Sequence, residues 1–384
     1  MRECTPMCSA PVSSARRGRN GGFTVIELMV GLLIGLLASL ALTQVLVNFE
    51  GQKRTTTSGS QALADGALAM QALQRAIASA GYGFSSNRGF LGCSISAMFG
   101  GAAVPGFASV LAPVVITAGA GGAPDSLRVL ASSKSSYSVP IPVAAPGYDR
   151  ADAAKSQAFP VATIRSVRGP VSGVPGELML AVVDASLPCE VFQVSATPAG
   201  NSVPRSDDAQ WNPSGYPVGP YGDKSYLVNL GALVDQSFSI VNTATLQVSR
   251  FVIGTDSIPA FQARPLSSNV VNLQALYGKD TDGDGAVDVW DKVTPANNAE
   301  WGQLAAVRIA LVVRSAQYDK ELVTSANPLW DVGTAVTITG TQACASGGDS
   351  RCLPLKVDGL PDWQHYRYKV FDTIVPLRNM VWRS

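Results

Sequence analysis

Gly21-Gly22-Phe23-Thr24-Val25-Ile26-Glu27-Leu28-Met29-Val30-Gly31-Leu32-Leu33-Ile34-Gly35-Leu36-Leu37-Ala38-Ser39-Leu40-Ala41-Leu42 begins with two glycines. It then runs almost without polar groups to about Val47. As a helix, roughly 25 such residues measure about 37 Å, enough to cross a bilayer. Arg2, Arg16, Arg17 and Arg19 all precede it. Their positive charge holds that end in the cytoplasm and predicts that everything after Val47 lies outside. A secretory signal peptide carries its small cleavage residues after the apolar core. Here Gly21-Gly22 come before it. The one carboxylate, Glu27, stands near the membrane face of the span, where a charge is expensive and by default functional.

A short basic leader ending in Gly, then Phe-Thr-x-x-Glu-Leu at the head of a long apolar helix, resembles the signal of type IV prepilins. The matching residues are Gly22, Phe23, Thr24, Glu27 and Leu28. The resemblance implies cleavage after Gly22 by a prepilin peptidase and methylation of the new Phe23 amine, with Met7 an alternative start. It also implies a role for Glu27: in assembled pili this carboxylate faces the charged N-terminus of a neighbouring subunit. Opposite charges attract strongly in a low-dielectric bundle, and either alone is penalised. Gly31 and Gly35 read equally as ordinary membrane-helix glycines or as a close-packing pair.

Working outward, residues 61–77 are Ala-rich with Leu63, Met70, Leu73 and Ile77 near helical spacing, and Gly81 and Gly83 end the pattern. The Thr/Ser/Gly patch 55–60 is a place for a break or bend. From about residue 90, short β-like runs alternate with Gly, Pro, Ser and Asn clusters. Candidate strands are 126–131, 161–167, 178–183, 190–194, 226–230, 246–253, 270–276, 307–313, 335–338 and 368–375, with 102–122 a loop. The organisation predicted is α+β: a leader over 1–22, an N-terminal helix over 23–82 with its span at about 23–47, and an exported, mainly antiparallel β head over 83–384.

The 384 residues are 46% hydrophobic and only 15% charged, with net charge +1. That suits an exported β protein and implies no nucleic-acid partner. Cys93, Cys189, Cys344 and Cys352 follow the span, and four cysteines allow three pairings. Export to an oxidising compartment favours disulfides. Cys344 and Cys352, either side of a flexible Ser/Gly segment, form the more obvious pair; Cys93–Cys189 then follows by elimination.

Val270-Val271-Asn272-Leu273-Gln274-Ala275-Leu276-Tyr277-Gly278, the run Val307 to Ser315, and the end from Tyr366 to Asn379 resemble PilW-type minor pilins. The resemblance covers the N-terminal helix and roughly the last 120 residues, and little of 95–225. It implies pilus initiation and assembly in a tip-located complex, with twitching motility and adhesion downstream. The implied partners are the prepilin peptidase, other minor and major pilins, the inner-membrane assembly machinery, membrane lipid and a tip adhesin. The implied location is the inner membrane, single-pass with the head periplasmic, then the pilus and cell surface. A minor pseudopilin of type II secretion and a tip adhesin with a ligand-binding head remain alternatives.

Asp280-Thr281-Asp282-Gly283-Asp284-Gly285-Ala286-Val287-Asp288-Val289-Trp290-Asp291 follows the EF-hand loop pattern. Asp280, Asp282, Asp284, Asp288 and Asp291 offer side-chain oxygens, Ala286 its carbonyl, and Gly285 the sharp turn. Asp291 stands where glutamate is usual, and no helix clearly flanks the loop. The expectation is a structural Ca²⁺ site joining two strands.

No catalytic set emerges. The lone histidine, His365, has no nucleophile elbow with it, and there is no HExxH, Walker loop or CxxC. The reading is that the protein is not an enzyme. Trp211, Tyr216, Tyr221, Trp290, Trp301, Trp330 and Trp363 are either a ligand surface or packing residues.

Overall fold

A computed structural model describes residues 22–134, 139–184, 186–207, 209–252, 259–345 and 347–381. Arg2, Arg16, Arg17, Arg19, Met7 and Gly21 lie outside the described residues. The chain divides into two compact units, Met1–Thr56 and Thr57–Ser384.

Helix α1 runs Val25–Ser79, 55 residues. No break interrupts it at 55–60. Thr, Ser and Gly each cost at most about 1 kcal/mol of propensity, too little to stop a helix extended from both sides. Within the second unit, α1 buries Ala62, Gly66, Ala69, Met70, Leu73 and Ile77, spaced three and four apart. Gly66 lets the helix come close to a strand: a Cβ there would lie 2.2 Å from the Phe371 ring.

The head is built from short strands. Its first part contains β1 (Ile95–Phe99), β2 (Ala102–Ala103), β3 (Val114–Thr117), β4 (Ser126–Ala131), β5 (Ile141–Pro142) and β6 (Ala158–Pro160). Next come β7 (Leu178–Val182), β8 (Cys189–Gln193), β9 (Ser202–Pro204), β10 (Tyr226–Gly231), β11 (Val234–Val241), β12 (Thr245–Val252) and β13 (Ala260–Ser268). The last part holds β14 (Val270–Lys279), β15 (Val289–Asp291), β16 (Leu304–Arg314), β17 (Leu329–Gly333), β18 (Gln342–Ala343), β19 (Arg351–Pro354) and β20 (Tyr368–Pro376). Short helices α2 (Asn298–Gly302) and α3 (Arg378–Val381) complete it.

Three sheets dominate: β2-β1-β8-β7-β10-β5, β13-β12-β11-β4-β3 and β15-β14-β16-β20. Pairing is antiparallel except between β1 and β8. β16 reads as a nearly continuous apolar run and β14 is buried throughout, its Asn272 and Gln274 included, because both their faces are covered. Val307, Ile309, Leu311 and Val313 of β16 join the main core with Leu73 and Ile77 of α1. Ala306, Ala310 and Val312 face a second core with Trp290, Trp330 and Leu355. The six-stranded sheet is double-faced too: Leu178 and Leu180 turn to the main core, while Met179 and Ala181 join Phe159, Phe192 and Tyr221.

Two candidate strands are not strands. In 161–167 only Val161 makes a bridge, to Val143, and the chain then turns so that Val167 N–H donates to Ile164. In 335–338 only Val336 bridges, to Trp290. Both segments are apolar because they pack on cores. The span 102–122, read as loop, contributes β2 and β3. Six of the seven singled-out aromatics are buried in cores or the chain's own packing, and only Trp363 is half-exposed. They form no exposed ligand surface.

Candidate functional site

Val25–Val47, 23 residues, is long and apolar enough to cross a membrane, and none of it is buried. A soluble core helix would hide such a face; this one shows Leu and Val all round. Its first turn is closed by a reciprocal capping box. Glu27 N–H donates to Thr24 Oγ1 at 3.2 Å, while Thr24 N–H and its hydroxyl donate to Glu27 Oε2 at 3.1 and 3.0 Å. In the single chain the carboxylate is therefore satisfied locally, and it caps the helix. The Thr-x-x-Glu spacing is the signal for this box in the sequence, and it makes Thr24 a functional partner of Glu27. Glu27, Gly31, Gly35 and Ser39 fall four apart and line one shallow groove with Phe23 and Leu32.

The acidic loop connects β14 to β15. Carboxylate oxygens of Asp280, Asp282 and Asp288 lie within 4.8 Å of one another, the one such group among the described residues. Backbone amides hold the loop's shape. Gly283 and Gly285 donate to Asp280 at 2.6 and 3.0 Å, Asp284 donates to Asp282 at 3.1 Å, and Ala286 donates to Asp284 at 2.7 Å. Asp288 accepts from the Thr281 hydroxyl at 2.7 Å and its amide at 2.6 Å. Those bonds, the hydroxyl first, hold its carboxyl below the ordinary value. Gly285 takes φ of +93°, the conformation that a turn here requires.

The structure does not bring Asp284 or Asp291 into the group. Asp291 sits in β15, whose pairing with Tyr277–Lys279 takes the chain away extended. Its carboxylate instead meets Lys279 Nζ at 2.8 Å and Val293 N–H at 3.0 Å, both partners of the ion pair nearly buried. A returning helix would be needed to carry position twelve back to the cation, and a strand follows instead. Three clustered carboxylates, Asp280 half-buried and the other two exposed, fit Ca²⁺, which takes hard oxygen donors. Arg88, Gly302 and Gln303 wall the cleft beside them.

Cys93 is bonded to Cys189, with Cα atoms 5.9 Å apart, and Cys344 to Cys352, 5.1 Å apart. His365 stacks on Tyr318, centroids 4.6 Å apart, and its Nδ1 lies 2.8 Å from the Asp319 carbonyl. Among the described residues no acid or nucleophile is grouped with it as a catalytic set.

The features so far define a β head that follows a membrane-length helix. A family model described as Type IV Pilus-assembly protein W, PilW, matches residues 240–379. That stretch takes in β14, the acidic loop, β16 and β20, and it ties this part of the chain to type IV pilus assembly. No curated protein and no solved structure matches the chain.

Proposed function

We propose that the protein is a type IV prepilin that matures into a minor pilin acting in pilus initiation and assembly. Its partners are the prepilin peptidase, the other pilins and the inner-membrane machinery. One observation carries the reading: Gly22, Phe23 and a helix-capping Glu27 stand at fixed spacing at the head of an exposed apolar span. The PilW match supports the pilus setting. The proposed course is insertion with the head periplasmic, cleavage after Gly22, methylation of Phe23, and passage into a tip-located complex. The bulk of the head favours the tip over a repeating shaft, and twitching and adhesion follow from assembly. The acidic loop is proposed as a structural Ca²⁺ site that fixes the turn between β14 and β15, with Asp280, Asp282 and Asp288 as its ligands.

The test is intact mass of the membrane-extracted chain from hosts with and without the prepilin peptidase. The expected product starts at Phe23, carries one methyl, and occurs only with the peptidase. An uncut chain in both hosts sinks the reading.

A further inference from the structure

Strand β20 is the outer strand of β15-β14-β16-β20, and among the described residues no strand pairs with its far edge. Its register with β16 shows which groups that edge offers. Leu377 N–H donates to Ala305 O at 2.8 Å and Ser315 N–H to Arg367 O at 2.7 Å. Both pairs continue the register Ala306↔Pro376 to Arg314↔Tyr368, which has no shift. Hydrogen-bonded pairs alternate along an antiparallel ladder, so odd-numbered residues of β20 turn their main-chain groups to β16. The N–H and C=O groups of Tyr368, Val370, Asp372 and Ile374 then point away from the sheet. Among the described residues none of these outward groups has a hydrogen-bond partner. From Tyr368 to Ile374 the open row is about 20 Å long at about 3.4 Å per residue.

Three other edges of the head carry guards. β13 carries Pro265, and its pairing with β12 shifts register beside it. β15 is covered where Trp290 bonds Ala335 and Thr337. β3 gives its Ile116 N–H to the Tyr277 hydroxyl at 2.6 Å. β20 has no bulge, and its proline, Pro376, comes only at its end. β20 does carry the exposed charges Lys369 and Asp372, but a regular edge with neither bulge nor internal proline is a template for another strand.

We propose that β20 is a docking edge that takes an extended segment of another subunit, adding a strand to the sheet. Its side chains define the match. Val370 is half-buried and Ile374 is 52% exposed on the same face, so the incoming segment sets apolar residues at alternate positions. The Asp372 carboxylate between them accepts from Arg308 and from the Trp330 indole through Oδ2, both at 3.4 Å, yet its side chain stays 49% exposed, so a basic residue opposite would meet Oδ1. A second copy of this chain, paired antiparallel about Asp372, would set two carboxylates against each other. That favours a different subunit.

This inference rests on the assembly reading, and the two fail separately. The experiment places p-benzoylphenylalanine at position 374 of the full chain in its host, with position 322 as the control, since Leu322 is exposed on a loop. The expected product is a cross-link to another subunit from 374 and none from 322. Asp372→Pro removes one outward amide and leaves the β16 ladder, so it should cut the yield at least ten-fold; Asp372→Asn keeps the amide and loses only the cross-strand charge pair, so it should cost less, at most about five-fold. A second measurement covers misfolding of the proline variant. In the co-purified wild-type complex, amide exchange at Val370 and Ile374 should slow at least ten-fold relative to the free full-length chain. No product from 374, a homodimer, a proline-insensitive product with exchange unchanged, or unchanged exchange alone overturns the proposal. A chain correctly processed by the peptidase but giving one of those results leaves the assembly reading standing.

Discussion

Strands β14, β16 and β8 are all buried on two faces, yet they are secured differently. β14 is 10 residues long, β16 is 11, and their ladder runs from Val270↔Val313 to Lys279↔Leu304. Sheet continuity and apolar side chains hold them, with buried polar bonds added on β14, where Asn272 and Gln274 donate to the Lys356 and Ala123 carbonyls, both at 2.9 Å. β8 has five residues, and the chain around it is tied down by bonds of other kinds. Cys189 at its start is cross-linked to Cys93. Glu190 accepts from the Val218 amide at 3.1 and 3.0 Å and from the Tyr221 hydroxyl, whose own proton is held more tightly by burial and then by the Glu190 charge. Asn212 exchanges bonds with the Gln193 main chain at 2.7 and 2.8 Å. The fully buried Arg205 donates to the Tyr216 carbonyl and to Asp207. A region with long strands has a ladder beneath its polar anchors; a region of short strands and Pro/Gly loops has less ladder and leans on cross-links and polar anchors. The family match covers the first region and stops short of the second.

The sharpest way to break this contrast is to remove the cross-links. Cys93 and Cys189 are 96 residues apart and Cys344 and Cys352 are 8 apart. If disulfides act by restricting the unfolded chain, replacing the first pair with serine costs about 4 to 5 kcal/mol and the second under about 3 kcal/mol. Denaturant unfolding of the full chain in detergent, followed by tryptophan fluorescence, measures both. Equal losses would show that the β8 region does not depend on its cross-link more than the β17–β19 lobe does.

The next largest effect is expected at Glu190. Glu190→Gln keeps the shape but turns an amide NH₂ toward donors that needed an acceptor. A donor left unsatisfied in a buried site costs about 1 to 3 kcal/mol. The expected outcome is a lower unfolding midpoint with faster exchange at the Val218 and Gly219 amides, and no change at positions in the β16 ladder such as Ile309 and Leu311. Loss spread evenly over both regions would mean that the two are one cooperative unit.

The same contrast explains what was legible in the sequence. β14, β16 and β20 are long runs rich in Val, Ile and Leu, and their place in a sheet could be read directly. β13 could not: Ala260 to Ser268 is nearly all exposed, so it has no apolar pattern, and only its partner β12 makes it a strand. Residues 161–167 carry the opposite lesson, since their apolar side chains fill a core without a ladder. At the site, the aspartate spacing announced an acidic turn. It could not announce that β15 would carry Asp291 off to Lys279, because a ligand at position twelve depends on the element that follows.

The smallest expected effect is at Asp288, which lies in the ladder-held region but is secured as the β8 loop is, by polar bonds. Its carboxyl is held below the ordinary value of 3.8 by Thr281, so what the charged form contributes is present above that value and is lost as pH falls through the lower, folded one. Protection of the Thr281 amide, taken relative to its intrinsic exchange rate at each pH, should therefore hold at neutral pH and fall only below about pH 4, the carboxylate range. Asp288→Asn keeps an oxygen for Thr281 and removes one of three clustered negative charges. Without metal, the unfolding midpoint should barely move, as at most surface sites. With Ca²⁺ the two chains should part: wild type gains melting temperature with rising Ca²⁺, as any ligand of the folded state requires, and the variant gains much less. Equal gains would take Asp288 out of the cation site, and no gain in wild type would leave the loop as a turn held only by its own amides.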